Sequence, residues 1–139
     1  MSNVNDWNAG IIEEFRANAG QLGGQFAGAS MLLLHTTGAR SGQPRLNPLA
    51  FLELDGHRYV FASKAGADTN PDWFHNAVAH PDVTVEVGSD TYEATAVVVS
   101  GAERDRIYNE QVSRMPGFAD YQQKTTRVIP VLELITKSS

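Results

Sequence analysis

The chain has 139 residues, 42% of them hydrophobic and 19% charged, a formal net charge of −5 and no cysteine. These values fit one globular domain and exclude disorder, a disulfide framework and a thiolate metal site. The acidic balance argues against nucleic acid, which needs a broad cationic face, and no stretch approaches the ~20 apolar residues of a membrane span. No basic and then apolar leader opens the chain, so the expected location is cytoplasmic.

Asn5 is placed to cap a helix running to about Ala19. Trp7, Ile11, Phe15 and Ala19 recur every four residues, Ile12 widens the stripe, and Gly20 ends it. The polar side is acidic rather than rich in Lys and Arg. That favours docking on the domain or a partner subunit over the second reading, a peripheral contact with the inner face of the membrane. Residues 20–30 (GQLGGQFAGAS) read as a glycine-rich linker. The expected division is therefore an N-terminal segment, 1–30, and one domain, 31–139.

From Met31 the pattern becomes that of strands. Met31–Thr36 reads as a buried strand and Leu46–Leu54 as a second. Asp55-Gly56 is a two-residue hairpin signal, followed by His57–Ser63. Asn70-Pro71-Asp72 combines a cap, an N1 proline and a first-turn acid, and predicts a helix ending near His80-Pro81. Val83–Val87 alternates, Gly88-Ser89-Asp90 turns, and Tyr92–Val99 returns. A helix over Ala102–Met115 ends at Pro116-Gly117, and a short helical piece spans Phe118–Lys124. Val128–Ile135 closes as a last strand, with Pro130 suggesting an edge or bulge. Six short, mainly antiparallel strands with few helices predict a small barrel of mainly β, α+β class.

Several chemistries fail on spacing. His75 and His80 are five apart, not the four that sets two imidazoles on one helical face, so no metal site is expected. Gly38-Ala-Arg-Ser-Gly42 places its serine one position late for a nucleophile elbow. P-loop and dinucleotide fingerprints are absent. What remains is anion binding. "TTGARSGQPR" (36–45) carries hydroxyls at Thr36, Thr37 and Ser41, glycines that let backbone N–H groups approach a ligand, and two forked guanidinium groups, with no acid. A second small and basic cluster, Ala62–Ala67, precedes the helix start at Asn70–Asn76. Asp72 would oppose an anion there, so a phosphate belongs by the arginine turn. Trp73 and Phe74 suit core packing as well as a ring platform. Phe118 and Tyr121 share a helical face, beside Lys124 and Arg127, where they could cover the barrel end with solvated charges alongside.

The ordered motifs "TTGARSGQPRLNPLAFLELDG", "FASKAGADTNPDWFHNAVAHPDVTVEV" and "PGFADYQQKTTRVIPVLEL" resemble the deazaflavin-dependent nitroreductase family, enzymes of actinobacteria that use reduced coenzyme F420, quinone reductases among them. The resemblance covers residues 31–135. It implies a split β-barrel like that of the flavin-binding pyridoxamine-phosphate oxidases. It also implies hydride transfer from reduced F420 to a quinone or another electron-poor acceptor, with nitroaromatic reduction a side activity of some members. Carried over by position, Arg40, Ser41 and Arg45 would hold the cofactor's phosphate and acidic tail. Ala62, Ser63 and Lys64 would lie along its ring, with Asp72, Trp73, Phe74, His75 and Asn76 across the site. Tyr121 would border the substrate pocket as the first proton donor, with Ser63 or a water as substitute. Ala50 and Phe118 stand where relatives can carry an aromatic and a tyrosine, departures expected to reshape the substrate side. The competing readings are an FMN-dependent oxidoreductase on the same barrel and a non-catalytic F420 carrier.

Overall fold

The computed structural model describes residues 3–18, 31–54, 56–67, 69–88 and 90–137, with the backbone alone for 3–9 and 65. The strands are β1 (Met31–Thr37), β2 (Pro44–Leu54), β3 (His57–Phe61), β4 (Asp82–Val87), β5 (Asp90–Val99) and β6 (Val131–Thr136). They close into an antiparallel barrel in the spatial order β1-β2-β3-β6-β5-β4, the class expected from the sequence. Around it lie α1 (Asn3–Ala17), α2 (Asp72–Ala79), α3 (Gly101–Arg114), α4 (Gly117–Gln123) and a 3₁₀ turn over Lys64–Gly66.

The hairpins follow their turn residues. Leu54 pairs with His57, and Gly56 has φ +82°, as the left-handed end of such a loop requires. Its partner Asp55 lies outside the described residues. Val87 pairs with Asp90 across a loop containing Gly88 at φ +59°.

The run Met31–Leu34 is unbroken because β1 is covered on both faces. Leu32 and Leu34 point into the barrel with Val60, Val85, Ala94 and Leu132, while Met31 and Leu33 meet Phe15 of α1 outside. A third cluster lies under α3 and α4, where Ile107, Tyr108 and Phe118 cover Leu52, Tyr59, Phe61 and Val131. Ile11 and Phe15 are buried, so the apolar side of α1, as far as it is described, is occupied by the barrel. The side chain of Trp7, together with Ala19, Gly20 and the linker, lies outside the described residues. Arg16 clamps α1 to β4 through both oxygens of Glu86, at 2.7 and 3.1 Å, and Glu86 also meets His35 Nε2 at 2.5 Å. No described helix is long and apolar enough to cross a membrane.

Several boundaries differ from expectation by one to three residues, β3 among them, which ends at Phe61 rather than Ser63. The first helix begins by Asn3, so Asn5 lies inside it rather than capping it. β2 begins at Pro44, which makes Arg45 a strand residue opposite Thr36. β6 begins at Val131, because the barrel closes and offers no edge for Pro130; the carbonyl of Pro130 instead accepts the Ala62 amide at 2.9 Å. α2 begins one residue late, with Pro71 extended at the cap position and no side-chain cap, because the Asn70 side chain is engaged elsewhere.

Candidate functional site

The turn from β1 to β2 is held by its own backbone. Gly38 N donates to Gln43 O at 2.8 Å and Gly42 N to Gly38 O at 3.0 Å, with Gly42 at φ +70°. A Cβ at Gly38 would collide with the Ser41 hydroxyl. That hydroxyl accepts Gln43 N at 3.1 Å and Arg45 Nη2 at 3.4 Å. Arg40 and Arg45 are exposed. Neither has a carboxylate within salt-bridge distance among the described residues, whereas Arg16, Arg58, Arg104, Arg106 and Arg114 each meet one. Arg127 apart, these two are the guanidinium groups that face no acid among the described residues. Thr36, expected to face a ligand, instead turns its hydroxyl inward, where it is buried without a hydrogen-bond partner among the described residues.

Across from this turn stands α2. The buried Asn76 accepts the Ala39 amide on Oδ1 at 2.9 Å, a bond linking positions 37 residues apart. Between the two elements lies a cavity of about 560 Å³, lined by Gly38, Ala39, Arg40, Ser41, Arg45, Asp72, His75 and Asn76. Six residues named from the sequence thus meet in one place. Trp73 and Phe74 do not line it: the opposite face of α2 puts Trp73 into the barrel core at 6% exposure, with Phe74 packed half-buried beside it.

Ala62, Ser63 and Lys64 do not line this cavity; the 3₁₀ turn that Lys64 opens packs instead against α4, the helix that carries Tyr121. Ala62 is fully buried at the end of β3. Lys64 adopts φ +45°, a left-handed backbone that non-glycine residues seldom take, and its Nζ donates to Thr69 Oγ1 at 3.1 Å. Gly66, at φ +85°, lies so close to α4 that a Cβ would stand 2.8 Å from the Tyr121 carbonyl oxygen. The Tyr121 ring meets Phe118 edge-on at 5.2 Å. Phe118 in turn packs against Phe61 and Tyr108, whose phenol burial pushes above its ordinary value against the opposing Arg104 charge. The two departures from the family pattern are therefore packing positions: Phe118 is core, and Ala50 lies half-buried between two apolar clusters.

Sequence reading missed Asn70, Ala39 and Arg127. Arg127 is not a solvated charge beside Tyr121, as expected, but donates to four acceptors. Its Nε reaches Ala67 O at 2.9 Å, Nη1 reaches Asn70 Oδ1 at 2.8 Å and Ala62 O at 3.2 Å, and Nη2 reaches Ser63 O at 3.0 Å. No local signal carries this, since the partners lie 57 to 65 residues away.

The family model described as F420H(2)-dependent quinone reductase matches residues 10–135. An F420H(2)-dependent quinone reductase of Mycobacterium tuberculosis is 39% identical over 127 residues, which are 86% of this chain and 83% of that protein. A solved F420-H2 dependent reductase, FDR-A, superposes with a TM-score of 0.69 at 38% identity, covering 76% of this chain and 93% of its own. A Listeria innocua protein assigned as a pyridoxamine 5'-phosphate oxidase covers 97% of this chain and 94% of its own, with a TM-score of 0.55. At 12% identity that last likeness is one of fold alone.

Proposed function

The chain belongs to the F420H(2)-dependent quinone reductase family, and from that premise we propose that Arg40, Ser41 and Arg45 hold the phosphate and acidic tail of its cofactor while Ala62–Lys64 lies along the ring. The protein is an oxidoreductase and its cofactor is coenzyme F420. When bound in its reduced form, F420 supplies the hydride that reduces a quinone.

The donor set fits such a molecule. Guanidinium forks match phosphate and carboxylate geometry and stay charged at any working pH. The Gly38–Gly42 turn adds close backbone, and the cationic rim provides a local positive field within about 8–10 Å on a chain whose net charge is −5. Asp72, the one carboxylate among the lining residues, repels an anion from the start of α2 and leaves the arginine side to it. His75 and Asn76 border the opposite wall. Trp73 and Phe74 then serve by holding α2 against the barrel. Once a quinone is reduced, its oxygens need protons or hydrogen bonds. The Tyr121 and Ser63 hydroxyls have no hydrogen-bond partner among the described residues, so each is free to donate, Tyr121 first.

The observation that carries the reading is the pair of arginines at the rim of the cavity that have no acidic partner among the described residues. Its test is a fluorescence titration with oxidised F420 and, in parallel, with FMN, followed by an anaerobic assay of reduced F420 with a menaquinone analogue. F420 binding together with quinone-dependent oxidation is expected. Preference for FMN would overturn the cofactor assignment at this rim, and F420 binding without oxidation by any quinone would make the chain a carrier.

A further inference from the structure

We propose that Arg127 is a positioning residue that aims the backbone N–H groups of Ser63 and Lys64 at the cofactor ring; this rests on the reading that Ala62–Lys64 lies along that ring. The argument starts from peptide geometry. In a trans peptide the C=O of one residue and the N–H of the next point in opposite directions, and the described residues contain no cis bond. The Arg127 guanidinium binds Ala62 O through Nη1 and Ser63 O through Nη2. The N–H groups of Ser63 and Lys64 therefore both point away from it.

The backbone between them supports the same arrangement. Ser63 is right-handed, at φ −75° and ψ −37°, and Lys64 follows at φ +45°. A right-handed residue followed by a left-handed one turns successive N–H groups toward a common concavity that accepts anions and carbonyl oxygens. Lys64 is the sole non-glycine residue with positive φ among the described residues, and such a conformation persists only where surrounding contacts hold it. The contacts here are Arg127 from one side and α4 from the other, which lies so near Gly66 that a Cβ there would stand 2.8 Å from the Tyr121 carbonyl oxygen.

Arg127 acts by charge as well as by shape. It is half-buried and has no carboxylate partner among the described residues, so its charge falls on the carbonyl ends of these two peptides. A cation bound at the C=O end polarises the amide and strengthens the N–H at the other end as a donor. The fold gives up a helix cap to do this, because Asn70 directs Oδ1 to Nη1 instead of to an α2 amide. The arginine is itself fixed from behind: Gln122 Nε2 donates to Arg127 O at 2.7 Å, and Gln122 Oε1 accepts Arg104 Nη2, also at 2.7 Å.

The test compares Arg127→Met, Arg127→Lys and the Arg40→Glu/Arg45→Glu double variant. Three readouts are taken on each: affinity for oxidised F420 by fluorescence titration, hydrogen–deuterium exchange of peptides covering 62–67, and the thermal midpoint. Arg127→Met should weaken F420 at least roughly tenfold and raise exchange at 62–67, while the strands keep their protection. Millimolar methylguanidinium should restore part of that affinity and leave the unaltered protein unchanged. Arg127→Lys keeps the charge but cannot span four acceptors, so it should fall between; it also decides the matter if the Met variant does not fold. F420 affinity unchanged in both Arg127 variants, with affinity lost in the double variant, overturns this proposal and leaves the arginine rim standing. Weakened binding with unaltered exchange at 62–67 and no rescue overturns it as well. Indifference of F420 affinity to all three variants removes the cofactor reading itself, and the proposal with it.

Discussion

Replacing Arg40 and Arg45 together by glutamine removes two positive charges from the rim without dismantling it. The turn is built from backbone bonds of Gly38, Gly42 and Gln43 and from the Ser41 hydroxyl, none of which needs a guanidinium. Both side chains are exposed, so each pairing with an anion is screened and contributes about 1 kcal/mol, not the several of a desolvated pair. One kcal/mol is a factor of roughly five, and two sites together give roughly 30-fold. Screening then sets the salt dependence. The Debye length falls from about 30 Å at 0.01 M to about 8 Å at 0.15 M, so the deficit should be largest in dilute buffer and shrink to a few-fold near physiological salt. Fluorescence titration with oxidised F420 across that range measures it directly. The thermal midpoint should not fall, because neither arginine has an acidic partner to lose among the described residues. Affinity equal to that of the unaltered protein in dilute buffer, or a salt-independent Kd in the unaltered protein, would refute the electrostatic reasoning.

Three further outcomes follow from the same contacts. Tyr121→Phe keeps the edge-on ring contact with Phe118, so stability and F420 affinity should hold while quinone turnover drops roughly tenfold or more; unchanged turnover removes the phenol as donor. Gly66→Ala should cost about 1–3 kcal/mol, since it combines φ +85° with a Cβ 2.8 Å from the Tyr121 carbonyl oxygen. Gly42→Ala, at φ +70° with open space around its Cβ, should cost less, and equal losses of thermal midpoint would show that the contact with α4 does not matter. The third concerns pH. The Arg16 hydrogen bond, helped by His35 and opposed by burial, holds the Glu86 carboxyl below its ordinary value of 4.5. A lowered folded-state pKa contributes stability that is full above the unfolded value and lost as pH falls below it. The clamp on α1 should therefore weaken below about pH 4.5, by roughly 1 kcal/mol for so exposed an arginine. Amide exchange in α1 should rise there, and Glu86→Gln should show little of that dependence; an equal rise in both proteins would exclude the clamp.

The features legible in the sequence were those encoded within a few residues. Gly56 and Gly88 marked hairpin loops because their backbones take positive φ, and His80-Pro81 and Pro116-Gly117 stopped helices within a residue or so of the observed ends. Alternation in Val83–Val87 and the apolar run from Met31 identified strands, and their number and shortness identified a barrel. The arginine turn stood out because so many cationic and small residues without an acid are unusual in an acidic chain. Family resemblance then assigned the turn a ligand, which spacing by itself left open.

Tertiary structure decided which of those residues face one another. β6 inserts between β3 and β5, and only that placement brings Arg127 to carbonyls 60 to 65 positions earlier. Asn70 carried every mark of a helix cap, yet a guanidinium arriving from the far end of the chain was the stronger partner for its oxygen. Trp73 and Asn76 lie three apart in α2, but one is in the core and the other holds Ala39 at the cavity. Local patterns record the dihedral angles and faces that each segment prefers. The partners of a buried polar group depend on how the barrel closes, and that is settled by packing among strands distant in sequence.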